Sequence, residues 1–399
     1  MPAAPADLFQ AIKGEPHAAL AVSGGSDSMA MLRLAQAWSG TAFTVLTVDH
    51  GLRATSADEA LKVAACCRAI GLSHVTLRWH GLHPITGIQA KARQARYDLM
   101  GQWCRDNGAT VLLTAHTMDD QAETVLMRMA RTSSIDSLAG ILRESQWKGL
   151  RVFRPLLGER RQALRDYLTA LGQPWIDDPS NDDERFERVR IRKAMAGVNA
   201  AGIPPERLAD LAAEFQALVS WQDEQAAAFI GNSVWSRAEG YAQIRSYGRS
   251  ELSRPVWLRV LRKVVQHVGV GSDPERAEIE RMADAIATRG VRRTLGGTIF
   301  WNRGREILVC REPARVPALP VTVPDSGSVR WDDRFLIGAP PGSVVQGARH
   351  VPGIMHDRGG PKIVLESQPV VRLPDAGWVW PGYDPAITPF LDFRPRYDL

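Results

Sequence analysis

The chain has 399 residues, of which 45% are hydrophobic and 23% charged, and its formal net charge is +5. This length exceeds what one hydrophobic core usually serves, and the composition is that of an ordinary globular protein rather than a disordered or fibrous one. No run of about 18 uncharged apolar residues is present, which excludes a membrane-spanning helix, while the positive charge is compatible with a polyanionic partner.

The first ten residues and the cysteine pattern indicate a reducing compartment. Residues 1–10 lack a basic segment followed by an apolar run, so no secretory signal is predicted and we expect a cytoplasmic protein. The four cysteines, Cys66, Cys67, Cys104 and Cys310, form no C-x-x-C pair. This pattern argues against a disulfide framework, a zinc ribbon or an iron–sulfur site.

From residue 18 to about residue 171, short apolar runs alternate with helical stretches. The predicted strands are 18–22, 43–48, 75–79, 110–114 and 151–155, and the predicted helices are 29–38, 57–70, 88–107, 119–130 and 160–171. This alternation is typical of an α/β protein with a doubly wound, five-stranded parallel sheet. Its ligand is expected beyond the carboxyl ends of the strands.

The rest of the chain changes in character. Residues 173–192 contain prolines and an Asp/Asn/Ser-rich run, which predicts a long loop followed by a basic segment. Helices are predicted at 204–229, 255–268 and 275–288, then a β-hairpin at 298–301 and 307–309, and finally a tail with short β-like runs. We therefore predict a catalytic domain at 1–195, a mainly helical domain at 196–313 and a small β-rich region at 314–399.

A glycine loop lies between the first strand and the first helix. It reads Ser23-Gly24-Gly25-Ser26-Asp27-Ser28. Adjacent glycines allow the backbone to approach an anion, and the amides of the following helical turn point at that anion. No Gly-Lys-Ser/Thr follows, so the loop is not a Walker loop, and a carboxylate at Asp27 beside phosphate predicts Mg²⁺ between them. The alternative is a Ser/Gly-rich helix cap that binds no ligand.

A second polar cluster, His116 to Thr124, opens the helix after the fourth strand. Asp120 and Glu123 are three residues apart and therefore share a helix face. If Asp27 and Asp120 meet at the same edge of the sheet, they form a plausible Mg²⁺–nucleotide site. The alternative is structural, with Asp119 as a simple N-cap and Glu123 paired with an exposed arginine.

Two further positions have open interpretations. Asp49 ends the second strand and could meet a ribose, order Arg53 or form a simple strand-end turn. Arg93 and Arg96 are three residues apart beside Tyr97, on a face that is either solvated or directed at an α-phosphate.

Together these motifs resemble the PP-loop of N-type ATP pyrophosphatases and, more specifically, tRNA(Ile)-lysidine synthases. The glycine loop indicates only the superfamily, and five further motifs indicate the family. They are Val48-Asp49-His50-Gly51-Leu52-Arg53, Ala92-Arg93-Gln94-Ala95-Arg96-Tyr97, His116 to Thr124, Arg154-Pro155-Leu156-Leu157, and Asp178-Pro179-Ser180-Asn181 with Arg188-Val189-Arg190-Ile191-Arg192. The resemblance covers about residues 15–195, and the hairpin after Leu295-Gly296-Gly297 is similar to the family's middle domain.

The resemblance implies a reaction and its partners. ATP adenylates the C2 carbonyl oxygen of the wobble cytidine in an isoleucine tRNA with a CAU anticodon, and the amine of L-lysine then displaces AMP. The implied ATP-binding residues are the six of the glycine loop (Ser23, Gly24, Gly25, Ser26, Asp27 and Ser28) together with Asp49. Asp27 and Asp120 would hold Mg²⁺. Arg96, His116 and Glu123 would shape the adenylation and lysine site, and Arg188, Arg190 and Arg192 would contact phosphate or RNA. A homodimer is left open.

The sequence departs from the family pattern in three places. Thr117 stands where a second histidine is common, Arg131-Thr132-Ser133-Ser134 replaces a glycine-rich turn, and Val189 stands where asparagine is frequent. Three other functions compete with lysidine formation: a tRNA thiolase, a PP-loop synthetase acting on a small metabolite, and an RNA-binding protein without catalysis. The lack of a C-x-x-C pair argues against the thiolase.

Overall fold

The computed structural model divides the chain into two units, Met1–Val219 and Ser220–Leu399. It describes residues 1–49, 51, 56–79, 88–132, 134–177, 184–185, 187–237, 239–246, 249–270, 273–354, 360–381 and 393–395. The three-part division at residues 195 and 313 stays a prediction. Among the helices of these described ranges, none has the length and apolar character needed to cross a membrane.

The first unit alternates strands and helices, as predicted. Its strands are β1 (His17–Ala21), β2 (Ala42–Asp49), β3 (Ser73–Arg78), β4 (Val111–Thr114), β5 (Glu144–Trp147) and β6 (Leu150–Phe153). Its helices are α1 (Pro5–Phe9), α2 (Ser26–Gln36), α3 (Ser56–Ala69), α4 (Ile88–Asp106), α5 (Met118–Met129), α6 (Ile135–Leu138), α7 (Arg161–Ala170) and α8 (Glu187–Ala200). The long helix α9 (Pro205–Ser233) begins here and contains the boundary with the second unit.

The strands form one sheet with the order β3-β2-β1-β4-β6-β5. All five predicted strands pair in parallel, which confirms the doubly wound α/β class. The count of five strands was one short, because β5 adds an antiparallel edge next to β6. Its sequence, Glu-Ser-Gln-Trp, lacks the apolar run that identified the other strands, and its side chains are half exposed.

Alternating residues of the central strands supply two cores, one on each face of the sheet. Leu20, Val45 and Leu113 pack with Met31 on one face. Their chain neighbours Ala19, Leu46 and Leu112 pack on the other face against helix α4. Because successive strand residues point to opposite faces, a strand buried on both sides reads as a continuous apolar run.

The structure differs from the prediction at two helices that affect the site. Helix α2 begins at Ser26, three residues earlier than predicted, so the second half of the glycine loop is already helical. The basic segment that follows the predicted loop lies on helix α8. Arg188 and Arg192 are therefore one helical turn apart and share a face.

The second unit is built from three antiparallel sheets and further helices. Its helices are α10 (Arg254–Val268), α11 (Arg276–Ala285) and α12 (Lys362–Leu365). Its strands are β7 (Val234–Arg237), β8 (Tyr241–Arg245), β9 (Arg292–Leu295), β10 (Thr298–Asn302), β11 (Glu306–Arg311), β12 (Val321–Thr322), β13 (Ser328–Trp331), β14 (Phe335–Gly338), β15 (Val344–Gly347), β16 (Pro369–Arg372), β17 (Trp378–Val379) and β18 (Phe393–Pro395).

The predicted hairpin is present as β10 and β11, within a five-stranded sheet of order β7-β8-β11-β10-β9. One face of this sheet packs against helices α10 and α11 through residues such as Phe300 and Val309. The β-rich C-terminal region is also confirmed, as sheets of four and three strands around a core that contains Trp331 and Phe335.

Candidate active site

A cavity of about 500 Å³ opens at the carboxyl ends of β1, β2 and β4. This is the edge where ligands bind in doubly wound sheets, and the volume lies in the usual range for small-molecule sites. Most of the predicted site residues line it: Ser23, Gly25, Ser26, Asp27, Ser28, Arg96, His116, Asp120, Arg188 and Arg192. Gly24, Asp49, Glu123 and Arg190 are not part of the lining.

The glycine loop is held by contacts at both of its glycines. Gly24 has a φ of +91°, and its carbonyl accepts a hydrogen bond of 2.9 Å from the backbone N–H of Ile176. Gly25 is the N-cap of α2, and its carbonyl accepts from the Ser28 hydroxyl at 2.9 Å. The Ser23 N–H donates to the same hydroxyl oxygen at 3.2 Å. The loop therefore presents the start of helix α2 to the cavity in a fixed conformation.

We expect Gly24→Ala to weaken ATP binding and to lower stability. A left-handed φ at a non-glycine residue costs about 1–2 kcal/mol, and the new Cβ would lie 2.6 Å from Cδ1 of Ile176. Gly14→Ala is the matched control, since Gly14 has a φ of +90° and no atom within 4 Å of an added Cβ. Thermal unfolding should detect both variants, while calorimetric titration with ATP should detect only Gly24→Ala. Equal ATP affinities for the two variants would contradict this prediction.

The start of helix α5 fixes the orientation of Asp120. Thr117 is the N-cap, and its hydroxyl accepts a hydrogen bond of 3.3 Å from the Asp120 N–H. Asp120 Oδ2 accepts in return from the Thr117 N–H at 2.8 Å, which completes a capping box. The N-cap is thus Thr117 and not Asp119, so the residue that departs from the family pattern has a structural role. This arrangement leaves Asp120 Oδ1 directed at the basic side chains.

Three carboxylates converge on the guanidinium of Arg161, the first residue of helix α7. Its Nε donates to Asp27 Oδ2 at 2.9 Å, and its Nη2 donates to Asp120 Oδ1 at 2.7 Å. Its Nη1 donates to Glu123 Oε1 at 3.2 Å. The acidic side chains after β1 and β4 are therefore close enough to share one cationic group.

The two cavity carboxylates have opposite electrostatic environments. Burial raises the pKa of Asp27 above its ordinary value, and the charge of Arg161 offsets this only in part. Burial acts in the same direction on Asp120, but the guanidinium groups of Arg161 and Arg188 outweigh it and hold the pKa of Asp120 below its ordinary value. The neighbouring guanidinium groups therefore stabilise the ionised form of Asp120, whereas burial destabilises the ionised form of Asp27.

Glu123 lies beneath the cavity and is only 1% exposed. Besides Arg161, it binds Arg188 through Oε2 at 2.8 Å and Arg192 through Oε1 at 2.8 Å. The pairing of Glu123 with arginine that the structural alternative predicted is thus present, with three arginines, two of which have side chains 40% and 36% exposed. Arg190 is directed elsewhere, because its Nη1 donates to the backbone carbonyls of Glu184 and Arg185. The predicted contact of these three arginines with phosphate or RNA stays a prediction.

Two other arginines of the cavity, Arg93 and Arg96, have no carboxylate partner within the described part of the chain. Their Cζ atoms lie 5.1 and 6.0 Å from the ring centroid of the buried Tyr97. His116, which also lines the cavity, is neutral, because burial lowers its pKa to about 3. This wall of the cavity thus presents cations that are available for an anion, which favours the phosphate-directed interpretation of Arg93 and Arg96.

Asp49 forms a strand-end turn. Its Oδ1 accepts hydrogen bonds from the Gly51 N–H at 3.0 Å and from the Ser56 hydroxyl at 2.6 Å. Its predicted role in ATP binding stays a prediction. Seven further motif positions, His50, Leu52, Arg53 and the run 178–181, lie outside the described residues.

The cavity offers few ligands for Mg²⁺ when no nucleotide is bound. No group of three or more His, Cys, Asp or Glu residues that could hold a metal is present in the ranges that the structure describes. Two carboxylates, Asp27 and Asp120, do meet there. Mg²⁺ in nucleotide enzymes is commonly held by one or two carboxylates together with substrate phosphates and water, so these residues fit the ion only in company with a nucleotide.

Sequence reasoning missed Arg161 and Arg165, which both line the cavity from α7. A signal was available, because Arg160 and Arg161 stand at the N-terminus of a helix, where the helix dipole disfavours positive charge. Such a pair indicates that acidic partners lie close by. Arg160 indeed binds Asp119 at 3.2 Å and also Glu206.

The turn that departs from the family pattern after α5 also has a partner. Arg131 forms an ion pair with Glu187, the first residue of helix α8. The Thr132 hydroxyl accepts a hydrogen bond of 3.0 Å from the Ser134 N–H. The arginine in this turn thus links the end of α5 to the helix that carries Arg188 and Arg192.

Residues 4–198 match the PP-loop domain family. A tRNA(Ile)-lysidine synthase of Ruegeria pomeroyi is 36% identical over 384 residues, which cover 93% of this chain and 87% of the relative. One from Rhodopseudomonas palustris is also 36% identical, over 77% of this chain and 94% of the relative. Among solved structures, the U34-tRNA thiolase NcsA from Methanococcus maripaludis aligns with a TM-score of 0.47 and 15% identity, over 54% of this chain and 78% of that chain. From its similarity to the curated relatives along nearly its whole length, this chain belongs to the tRNA(Ile)-lysidine synthase family.

Proposed function

We propose that the cavity of the first unit performs both steps of lysidine formation on an isoleucine tRNA with a CAU anticodon. Family membership makes the chain an ATP-using ligase that forms a carbon–nitrogen bond. The observation that carries the assignment to this cavity is the convergence of Asp27 and Asp120 on one guanidinium beside the glycine loop. These two carboxylates lie at the starts of helices that follow different strands, and they meet where a triphosphate would lie.

The first step is adenylation. The C2 carbonyl oxygen of the wobble cytidine attacks the α-phosphorus of ATP, and pyrophosphate leaves with the electrons of the broken P–O bond. The start of α2 would stabilise the charge that develops on the phosphate oxygens, together with Arg93 and Arg96, which have no carboxylate partner among the described residues. Mg²⁺ held by Asp27 and Asp120 would neutralise part of the triphosphate charge.

The second step replaces AMP by lysine. The lysine amine attacks C2, the C2–O bond breaks, and AMP leaves with the oxygen while the amine loses a proton. A carbonyl oxygen is a poor leaving group until it is esterified to phosphate, so the order of the two steps follows from the chemistry. We propose that Glu123 attracts the lysine ammonium, which would compete with the guanidinium groups now bound to this carboxylate.

The cysteines favour this chemistry over the thiolase alternative. Burial raises the thiol pKa of Cys67 to about 12, of Cys104 to about 11 and of Cys310 to about 12. Cys66 is half-buried on α3, and none of the four lines the cavity. A persulfide-forming cysteine needs a thiolate near the activated base, whereas the thiols of Cys67, Cys104 and Cys310 are protonated at neutral pH.

A basic and aromatic surface in the second unit supports an RNA substrate rather than a small metabolite. Two exposed arginines lie beside Trp301 of β10, with Arg292 Cζ at 3.9 Å and Arg303 Cζ at 5.1 Å from its ring centroid. Arg292 faces Trp301 directly across the β9–β10 pair. Arginines beside an aromatic ring suit the phosphates and bases of RNA. A small-metabolite enzyme would leave this surface without a use.

The assay uses purified protein, ATP, Mg²⁺, radiolabelled lysine and a transcript of the cognate tRNA. We expect label in the RNA, together with AMP and pyrophosphate, and none with a transcript whose wobble cytidine is uridine. Absence of label in the cognate RNA would contradict the proposal. Incorporation of sulfur would favour the thiolase, and pyrophosphate release that does not depend on tRNA would favour the small-metabolite enzyme.

We further place the protein in the cytoplasm, where tRNA, ATP and lysine are found. Fractionation of cells that express a tagged chain tests this location. A homodimer stays a prediction, and light scattering coupled to gel filtration tests it.

A further inference from the structure

Arg161 occupies the position between the carboxylates that the proposed function gives to Mg²⁺. Its guanidinium binds one oxygen of Asp27, at the start of α2, and one oxygen of Asp120, at the start of α5. All three side chains are largely buried, with exposed fractions of 16% for Arg161, 20% for Asp27 and 11% for Asp120. The contact therefore joins two helix N-termini and is not a solvent-screened surface pair.

The charges of the cluster are balanced when no ligand is bound. Three carboxylates, Asp27, Asp120 and Glu123, face three guanidinium groups, those of Arg161, Arg188 and Arg192. Of these three guanidinium groups, only that of Arg161 contacts Asp27, since Arg188 binds Asp120 and Glu123, and Arg192 binds Glu123. Without Arg161, no cationic side chain of the described residues would contact Asp27, and its carboxylate would face the cavity without a counter-charge.

The second oxygens of these carboxylates are engaged elsewhere, because Asp27 Oδ1 accepts from the Ser26 hydroxyl at 3.0 Å and Asp120 Oδ2 belongs to the capping box. A divalent cation held between Asp27 Oδ2 and Asp120 Oδ1 would therefore need the oxygens that Arg161 now holds. Metal–oxygen bonds to Mg²⁺ are about 2.0–2.1 Å long, so the ion and the guanidinium cannot both lie between these oxygens. Binding of the ion must therefore displace at least part of the arginine contact. Glu123 can retain the guanidinium, because it lies on the next turn of α5 and is bound through a separate N–H group.

We propose that Arg161 is a positioning residue that takes the place of the divalent cation between Asp27 and Asp120 when no nucleotide is bound, and releases these oxygens when Mg²⁺–ATP enters. This inference rests on the proposed function, because that function supplies the Mg²⁺–ATP ligand. The arginine holds the starts of α2 and α5 at a separation that suits one cation, and it prevents two carboxylates from repelling an approaching triphosphate.

The proposal predicts energetic coupling between Arg161 and Mg²⁺. In Arg161→Gln, ATP that arrives without metal meets two carboxylates lacking this counter-charge, so its affinity should fall strongly. ATP that arrives with Mg²⁺ brings the missing charge and meets one competitor fewer, since only Arg188 still binds Asp120, so its affinity should fall little or rise. We therefore divide the dissociation constant of ATP measured in EDTA by that measured in Mg²⁺. This ratio should be at least about tenfold larger in the variant than in the wild type.

Calorimetric titration of the full chain with ATP, in Mg²⁺ and in EDTA, measures this ratio without any turnover. Arg160→Gln is the matched control, because Arg160 precedes Arg161 but binds Asp119 and Glu206 instead of the cluster. We expect its ratio to equal that of the wild type. Equal ratios in Arg161→Gln and wild type would show that Arg161 is only structural and would overturn the proposal.

Arg161→Lys keeps the inference testable if the glutamine variant does not fold. A lysine ammonium carries the charge but cannot donate to three carboxylates in a planar fork. We expect the ratio of dissociation constants for Arg161→Lys to lie between the ratios of wild type and Arg161→Gln. If only the lysine variant folds, we expect its ratio to exceed the wild-type ratio. A lysine variant with the wild-type ratio would contradict the proposal in that case. Wild-type protein that fails to bind Mg²⁺–ATP would instead contradict the proposed function.

Discussion

Replacing Asp27 by asparagine is expected to lower the rate of lysine incorporation into tRNA by at least about 10³-fold. The substitution keeps the shape of the side chain but removes the charge that would hold Mg²⁺ at the glycine loop. Asp27 lines the cavity, and its only basic partner among the described residues is Arg161. Initial rates at saturating lysine and tRNA, measured across ATP concentrations, will separate loss of nucleotide affinity from loss of turnover.

The same substitution should not lower the stability of the protein. The pKa of Asp27 is raised in the folded state, chiefly by burial, so the ionised carboxylate costs folding free energy above its ordinary pKa. Removing the charge at neutral pH should leave the melting temperature unchanged or higher, and the difference from wild type should shrink as the pH falls. Asp7→Asn, at the start of α1, is the control for loss of an exposed helix-terminal carboxylate. An active Asp27→Asn enzyme would refute the role of this residue.

The parts of the fold that sequence predicted are those in which local pattern and tertiary environment agree. The five parallel strands are buried on both faces, so each reads as an apolar run such as Val111–Thr114. Because β1 and β4 are neighbours in the sheet, the loops after them meet at one edge. The encounter of Asp27 with Asp120 follows from this topology, which the βαβ alternation indicated.

The parts that sequence did not predict depend on contacts between distant segments. Arg161 follows β6 in the chain, and its partners follow β1 and β4, so no local pattern indicates which charges it meets. Thr117 was counted as the loss of a histidine, whereas its backbone N–H and hydroxyl define the position of Asp120. Strand β5 was missed because a half-exposed edge strand needs few apolar residues.

Asp120→Asn tests the other cavity carboxylate, and its effects should differ from those of Asp27→Asn. We again expect a loss of activity of at least about 10³-fold, because both carboxylates are proposed to hold the same ion. Stability should now fall by about 3 kcal/mol, since the change breaks a buried contact with two guanidinium groups. Asparagine also has a single carbonyl oxygen, which cannot serve both the capping box with Thr117 and the arginines Arg161 and Arg188.

The sign of the pH dependence distinguishes this variant further. The pKa of Asp120 is lowered in the folded state by Arg161 and Arg188 against the effect of burial, so its charge stabilises the fold above the ordinary pKa of an aspartate. That contribution is lost as the pH falls through the lowered value, and the melting temperatures of wild type and Asp120→Asn should converge in acid. Asp98→Asn is the control, because the pKa of Asp98 is also lowered, by hydrogen bonds with Lys148 and Trp147 at the surface. An exposed pair of this kind is worth about 1 kcal/mol or less. If Asp120→Asn were no less stable than Asp98→Asn, the buried arginine contacts would not contribute to folding as argued, and Asp120 would have to be regarded as a purely catalytic group.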